Sequence, residues 1–151
     1  MPKPPAFLNV ELRDLVPLRV LHRNCLFRSA SGNPDKVIRP AFKELRLRIS
    51  AFGLDPDTLL HVGAPEIIDG QLAAYNCCIE FPLPEEVENA TTLPGGRYAV
   101  LTVEKRPEKI RPAIRAFSGD YFVEQSLILD EERPIYEIYY KETMEYCLPI
   151  R

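Results

Sequence analysis

The sequence has no tryptophan and only two histidines, His22 and His61, in 151 residues. These two lie in separate strand-like segments, so neither a histidine-built metal site nor haem ligation has support. No apolar run approaches the ~18 residues of a membrane span, and no apolar signal-peptide core follows Met-Pro-Lys-Pro-Pro. The expectation is a cytoplasmic protein. Nor is there an excess of basic charge: 19 Lys and Arg against 22 Asp and Glu leave a net −3, which argues against a nucleic-acid binder. Glycine is sparse, with seven residues, and none forms a phosphate loop after a strand; Pro94-Gly95-Gly96 is a turn before one. There is no Gly-x-Ser-x-Gly elbow, and Ser29 and Ser31 near His22 are too generic to mark a nucleophile. The four cysteines, Cys25, Cys77, Cys78 and Cys147, match no zinc spacing and read as reduced, mostly buried thiols. Cys77 and Cys78 should face opposite ways on a strand. No cofactor and no metal is expected.

What the chain does have is enough apolar residue for a core, 46%, and an internal echo. Ile-Arg-Pro-Ala-Phe-Lys-Glu-Leu around Arg39 returns as Ile-Arg-Pro-Ala-Ile-Arg-Ala-Phe around Arg111, an offset of 72 (111 less 39). Ile38, Ala41, Phe42, Leu45 and Ile49 in one copy, and Ile110, Ala113, Ile114, Phe117 and Tyr121 in the other, follow the spacing of one buried helix face. The shared Arg-Pro suits a helix start, and Gly53 suits the first helix's C-terminal stop. Strand patterns flank both: Phe7–Arg13, Leu18–Asn24, Leu59–Gly63 and Leu72–Phe81 around the first, and Arg97–Lys105, Ile135–Tyr140 and Met144–Ile150 around the second. The expected architecture is α+β: duplicated β-α-β-β units (about 7–81 and 93–151), antiparallel sheet with two helices packed on it, and a central ligand cleft where the units meet. Residues 82–96, rich in Pro and Glu, read as the linker, and residues 1–6 as flexible. The basic residues Arg39, Lys43, Arg46 and Arg48 read as a solvated helix face.

The most informative stretch is Arg133-Pro134-Ile135-Tyr136-Glu137-Ile138-Tyr139-Tyr140. Strand alternation puts Ile135, Glu137 and Tyr139 on one face and Tyr136, Ile138 and Tyr140 on the other. Glu137 thus sits among apolar and aromatic neighbours. It either faces solvent on an open sheet or lies in a pocket, where desolvation would suit a general acid/base or a cation anchor. Seven tyrosines can serve as strand packing or as amphipathic pocket walls with hydroxyls at the rim.

Three segments carry a family resemblance. Leu-Pro-Gly-Gly-Arg-Tyr-Ala-Val-Leu-Thr-Val (93–103), the Arg133–Tyr139 run and Glu145-Tyr146-Cys147-Leu148-Pro149-Ile150 resemble strands of gyrase-inhibitor-like (GyrI-like) small-molecule-binding domains. Such domains also occur as the effector-binding part of AraC-type and MerR-type transcription regulators. The resemblance implies a duplicated fold with a ligand cleft and places Glu137 in it, facing cationic aromatic ligands. Tyr139, Tyr121 and Tyr75 are the expected ligand-binding residues beside it. Some relatives hydrolyse cyclopropane-bearing electrophiles and carry a Trp in the second helix; Tyr121 stands at that place here, a departure that weakens the carry-over.

Three functions compete on this reading. The first is a stand-alone binding protein for amphipathic aromatic ligands, cationic ones included, acting in drug or toxin sensing or sequestration. The second is a hydrolase with Glu137 as general acid/base and Tyr121 stacked on the substrate. The third is a modulator of a protein partner, a regulator or DNA gyrase, through Glu80, Glu85, Glu86 and Glu88. Every segment is taken up by the ligand domain, so a complete DNA-binding regulator is not expected.

Overall fold

The computed structural model describes residues 8–27 and 33–151. Residues 1–6, Phe7 at the head of the first expected strand, and Ser29 and Ser31 lie outside them. The elements run β1 (Asn9–Leu15), β2 (Leu18–Leu26), α1 (Asp35–Ala51), β3 (His61–Ile68), β4 (Gln71–Glu80), β5 (Ala90–Leu93), β6 (Gly96–Glu104), α2 (Pro107–Ala116), a π-helical turn (Phe117–Tyr121), the single turn α3 (Phe122–Glu124), β7 (Tyr136–Tyr139) and β8 (Thr143–Pro149). Every strand pairing within a unit is antiparallel, and the fold is α+β as expected.

The chain divides into two compact units, Pro17–Pro94 and the residues up to Val16 together with Gly95–Arg151. In the first, the strand order is β3-β4-β2-β5; in the second it is β1-β6-β8-β7. The expected β-α-β-β unit is present in each, as β2-α1-β3-β4 and β6-α2-β7-β8. Each gains an edge strand from elsewhere in the chain. β1 directly precedes β2 yet pairs with β6, from Asn9↔Thr102 to Leu15↔Gly96. β5 directly precedes β6 yet pairs with β2, from Leu18↔Leu93 to Leu21↔Ala90. The boundaries 7–81 and 93–151 therefore do not coincide with the compact units, and the expected linker 82–96 contains a strand. Ala-Thr-Thr-Leu is too short to stand out between prolines and glutamates, and a four-residue strand at a sheet edge needs only one side paired.

Both helix faces are where the periodicity put them. Ala41, Leu45 and Ile49 are buried, with Ile38 and Phe42 packed beside them against Leu21, Cys77 and Ile79. Ala113, Phe117 and Tyr121 are buried against Ala99, Leu101 and Leu148. The Arg-Pro pairs are not helix starts, however. α1 begins at Asp35 and α2 at Pro107, which leaves Pro40 and Pro112 inside. Each proline removes one i→i−4 hydrogen bond, and the carbonyls released belong to Lys36 and Glu108, whose residues are exposed to water. Gly53 does end α1. Its φ is +79°, its N–H donates to Ser50 O at 2.9 Å, and Leu54 N–H donates to Ile49 O at 3.4 Å, the paired bonds of a Schellman motif.

The first unit has one position with no room to spare. Gly63 on β3 is buried, and the ring and hydroxyl of Tyr75, itself 3% exposed, lie where a Cβ would stand. Replacing Gly63 with Ala is expected to destabilise the protein by about 2 kcal/mol, because a well-packed core pays for extra volume in displaced side chains. Urea unfolding measures this, and an unchanged midpoint would contradict it.

Candidate functional site

The second unit's chemistry is organised by β7 and β8. Glu137 stands opposite Tyr146 and Ile138 opposite Glu145; on the far side of β8, Tyr146 meets Leu101 and Cys147 meets Val100. Alternation sorts these residues onto two faces. The helix side carries Ala99, Leu101, Tyr146, Leu148 and Glu137. The opposite side carries Tyr98, Val100, Tyr136, Ile138, Glu145 and Cys147.

On the helix side, the Tyr139 hydroxyl donates to Glu137 Oε1 at 2.7 Å. Burial, with the Glu137 carboxylate nearby, pushes the Tyr146 phenol up to about 12. The Tyr146 ring meets Phe117 edge-on at 6.3 Å between centroids, and Phe117 lies 5.8 Å from Tyr121, whose phenol burial also raises. The π-helical turn (Phe117–Tyr121) lies between α2 and α3, and Phe117, Tyr121 and Phe122 are all buried; π turns inside helices recur at functional sites. Glu137, Tyr139 and Tyr121 thus belong to one contiguous set joined through Tyr146 and Phe117. Tyr75 is not part of it. It lies in the core of the first unit with Cys25, Cys77 and Ile79.

The opposite face holds a residue that the sequence reading passed over. Glu145 is 6% exposed and is the one charged residue classed as buried among those described. Arg13 Nη1 stands 2.7 Å from its Oε2, and the Tyr140 hydroxyl donates to its Oε1 at 2.8 Å. The Arg13 Nε also donates to Glu11 Oε1 at 2.6 Å. These hydrogen bonds, that to Glu11 foremost, hold the Arg13 guanidinium above its ordinary value against the desolvation that lowers it. Arg13 in turn holds Glu11 below the usual carboxylate range. Burial, and then the bond to Glu145, pushes Tyr140 up to about 12. Cys147 is likewise pushed up to about 12 by burial, and then by Glu145. Around this group stand Tyr98, fully buried, and Tyr136, stacked at 5.4 Å. The Tyr98 hydroxyl donates to Pro134 O at 2.8 Å. Arg133 lies 5.1 Å over the Tyr98 ring and ties down Asp130 and Ile150 O through Nε and Nη2. Nothing local in Glu-Tyr-Cys-Leu-Pro signals a buried acid. The one available signal was parity: Glu145 shares a strand face with Cys147, away from Tyr146.

Among the described residues, no three His, Cys, Asp or Glu side chains are grouped to hold a metal ion, and no helix is long and apolar enough to cross a membrane. All four cysteines are free and buried.

Comparison with known proteins adds to this geometry. The model of the GyrI-like small molecule binding domain matches residues 56–151. Among curated proteins none matches the chain by sequence. Solved structures do match in fold. The C-terminal domain of EcmrR superposes with a TM-score of 0.72 at 11% identity, covering 95% of this chain and 98% of that one. A hydrolase from Listeria innocua gives 0.63 at 12%, covering 94% and 91%. SAV2435 bound to tetraphenylphosphonium gives 0.57 at 15%, covering 95% and 94%. At these identities the superpositions speak for the fold; it is the family model, spanning well over half the residues, that shows the chain belongs to the GyrI-like small molecule binding domain family.

Proposed function

We propose that this domain holds an amphipathic aromatic molecule against the β7–β8 region of its second unit, for sensing or sequestration. The observation that carries this reading is the Glu145 carboxylate, withdrawn from water on a face with Tyr98, Tyr136 and Tyr140. A buried ion pair gains little over apolar packing. A fold that keeps one beside several rings has the ingredients of a ligand site, which is apolar walls with a few fixed polar groups. The tetraphenylphosphonium bound to SAV2435, a neighbour in fold, is likewise aromatic and carries a permanent positive charge.

A second reading keeps Glu137 as the anchor, supported by the contiguity of Glu137, Tyr139, Tyr146, Phe117 and Tyr121. The hydrolase reading draws on the same set. In it the Phe117 and Tyr146 rings lie between Tyr121 and the carboxylate, an arrangement that favours holding a molecule over activating water against it.

Titration of an aromatic fluorophore into wild type, Glu145→Gln and Glu137→Gln separates the two anchors. The expected result is at least tenfold weaker binding for Glu145→Gln, because its carboxylate holds Arg13 and Tyr140 in place on that face, and a change within about twofold for Glu137→Gln, which lies on the other face. The reverse pattern moves the site to the helix side, and equal affinity in all three removes both acids from the ligand.

A further inference from the structure

We infer that Arg13 is a built-in counterion that occupies the cation seat of Glu145 and sets the domain's preference toward electrically neutral aromatic ligands. This rests on the small-molecule reading of the same face and decides the charge class of the molecule.

Both Glu145 oxygens are taken, Oε2 by the Arg13 guanidinium and Oε1 by the Tyr140 hydroxyl. Arg13 neutralises the buried Glu145 charge, and the other carboxylate on the guanidinium, Glu11, is exposed and screened by water, so it is the Glu145 charge that is withheld from an incoming molecule. Arg13 is also held at its root. It lies within a seven-residue strand paired along its length with β6, so its Cα cannot withdraw. Its register partner is Tyr98, whereas Glu145 faces Thr102; the side chain therefore reaches diagonally across the face that carries Val100 and Cys147. A cationic ligand seeking Glu145 would have to dislodge the guanidinium and then lie beside it. Juxtaposed like charges on a poorly solvated surface are a strong means of rejecting a partner. Glu11 matters here as well, because its exposed carboxylate holds Arg13 Nε and keeps the guanidinium at the face. A neutral ring system meets none of this opposition and can lie over the aliphatic stem of Arg13 and the exposed ring of Tyr140.

The test uses a matched pair of nearly identical shape, neutral acridine and permanently cationic N-methylacridinium, at a mildly alkaline pH. Wild type is expected to bind acridine at least tenfold more tightly. Arg13→Gln, which removes the charge and leaves a shorter polar side chain, is expected to reverse that order, and Arg13→Gln with Glu145→Gln is expected to lose the gain for the cation. Wild type binding the cation equally or better overturns the inference without recourse to any variant. So does an unchanged preference in Arg13→Gln with native near-ultraviolet dichroism. If wild type binds neither acridine nor N-methylacridinium nor any other aromatic probe, it is the proposed function that fails.

Discussion

Raising the pH from about 8 to about 11 is expected to remove a large part of the protein's stability. Burial pushes the thiols of Cys78 and Cys147 and the phenols of Tyr98 and Tyr146 all up to about 12. In each case the folded state prefers the protonated, neutral form. The unfolded chain titrates earlier, near 9 for thiols and near 10 for phenols. Between those values and about 12 the unfolded state carries fewer protons than the folded one, so the free energy of unfolding falls as pH rises. The stability these groups contribute is fully present below pH 9 and is lost progressively upward. Each fully shifted group contributes about 1.4 kcal/mol per pH unit. Two thiols and two phenols together therefore remove on the order of 5 kcal/mol or more by about pH 11, a large part of a typical domain's 5–15 kcal/mol. Denaturant unfolding followed across this range, with tyrosinate absorbance recorded alongside, gives the check. Tyrosinate should appear together with unfolding, and a flat stability profile would refute the assignment of these groups to the dry interior.

Phe117→Ala is expected to destabilise the protein by about 3–5 kcal/mol, the range for truncating a buried aromatic. Phe117 is fully buried and is the ring on which the second unit's helical layer converges, touching Tyr121, Phe122 and Tyr146. Its removal takes away the apolar contact and leaves a cavity bordered by three other rings, which are rigid and collapse poorly. Phe117→Leu should lose roughly half as much because it refills part of the volume. Val123, a few residues on and 79% exposed, is the control, since Val123→Ala should change stability by less than about 0.5 kcal/mol. Thermal and denaturant unfolding of the three variants decide the matter. If Phe117→Ala behaved like the Val123 control, Phe117 would not be packed among these three rings.

Much of the scaffold was legible because it is written in local spacing. The i, i+3, i+4, i+7 series beginning at Ile38 and Ile110 named the buried helix faces, and Gly53 named the stop of α1. Alternation in Arg133–Tyr140 put Glu137 and Tyr139 on one face, where the hydroxyl of one now meets the carboxylate of the other. The helix starts were misjudged because proline is favoured in a first turn, and nothing in Arg-Pro tells that turn from the next. The β5 strand was missed because four residues carry too little periodicity to compete with the prolines and acids beside them.

The candidate site was legible only in part. Glu137 stood out because its neighbours in the chain are apolar and aromatic, but sequence neighbours on a strand point the other way, and it is the cross-strand partners that set a side chain's surroundings. Glu145 was hidden for the same reason, since Arg13 comes from the far end of the chain and Tyr140 reaches it only across the β7–β8 turn.

By itself the sequence determined the elements and their faces: two amphipathic helices 72 residues apart, strands of known parity, and a duplicated β-α-β-β plan. Only the tertiary structure decided which strand pairs with which. β1 and β5 leave their neighbours in the chain for β6 and β2, and the first of these exchanges delivers Arg13 to a carboxylate 132 residues away (145 less 13). Side-chain periodicity is a property of a segment and is encoded locally. Strand pairing is a competition among distant edges, settled by the burial and loop closure of the whole chain. The buried charge pair is a product of that competition.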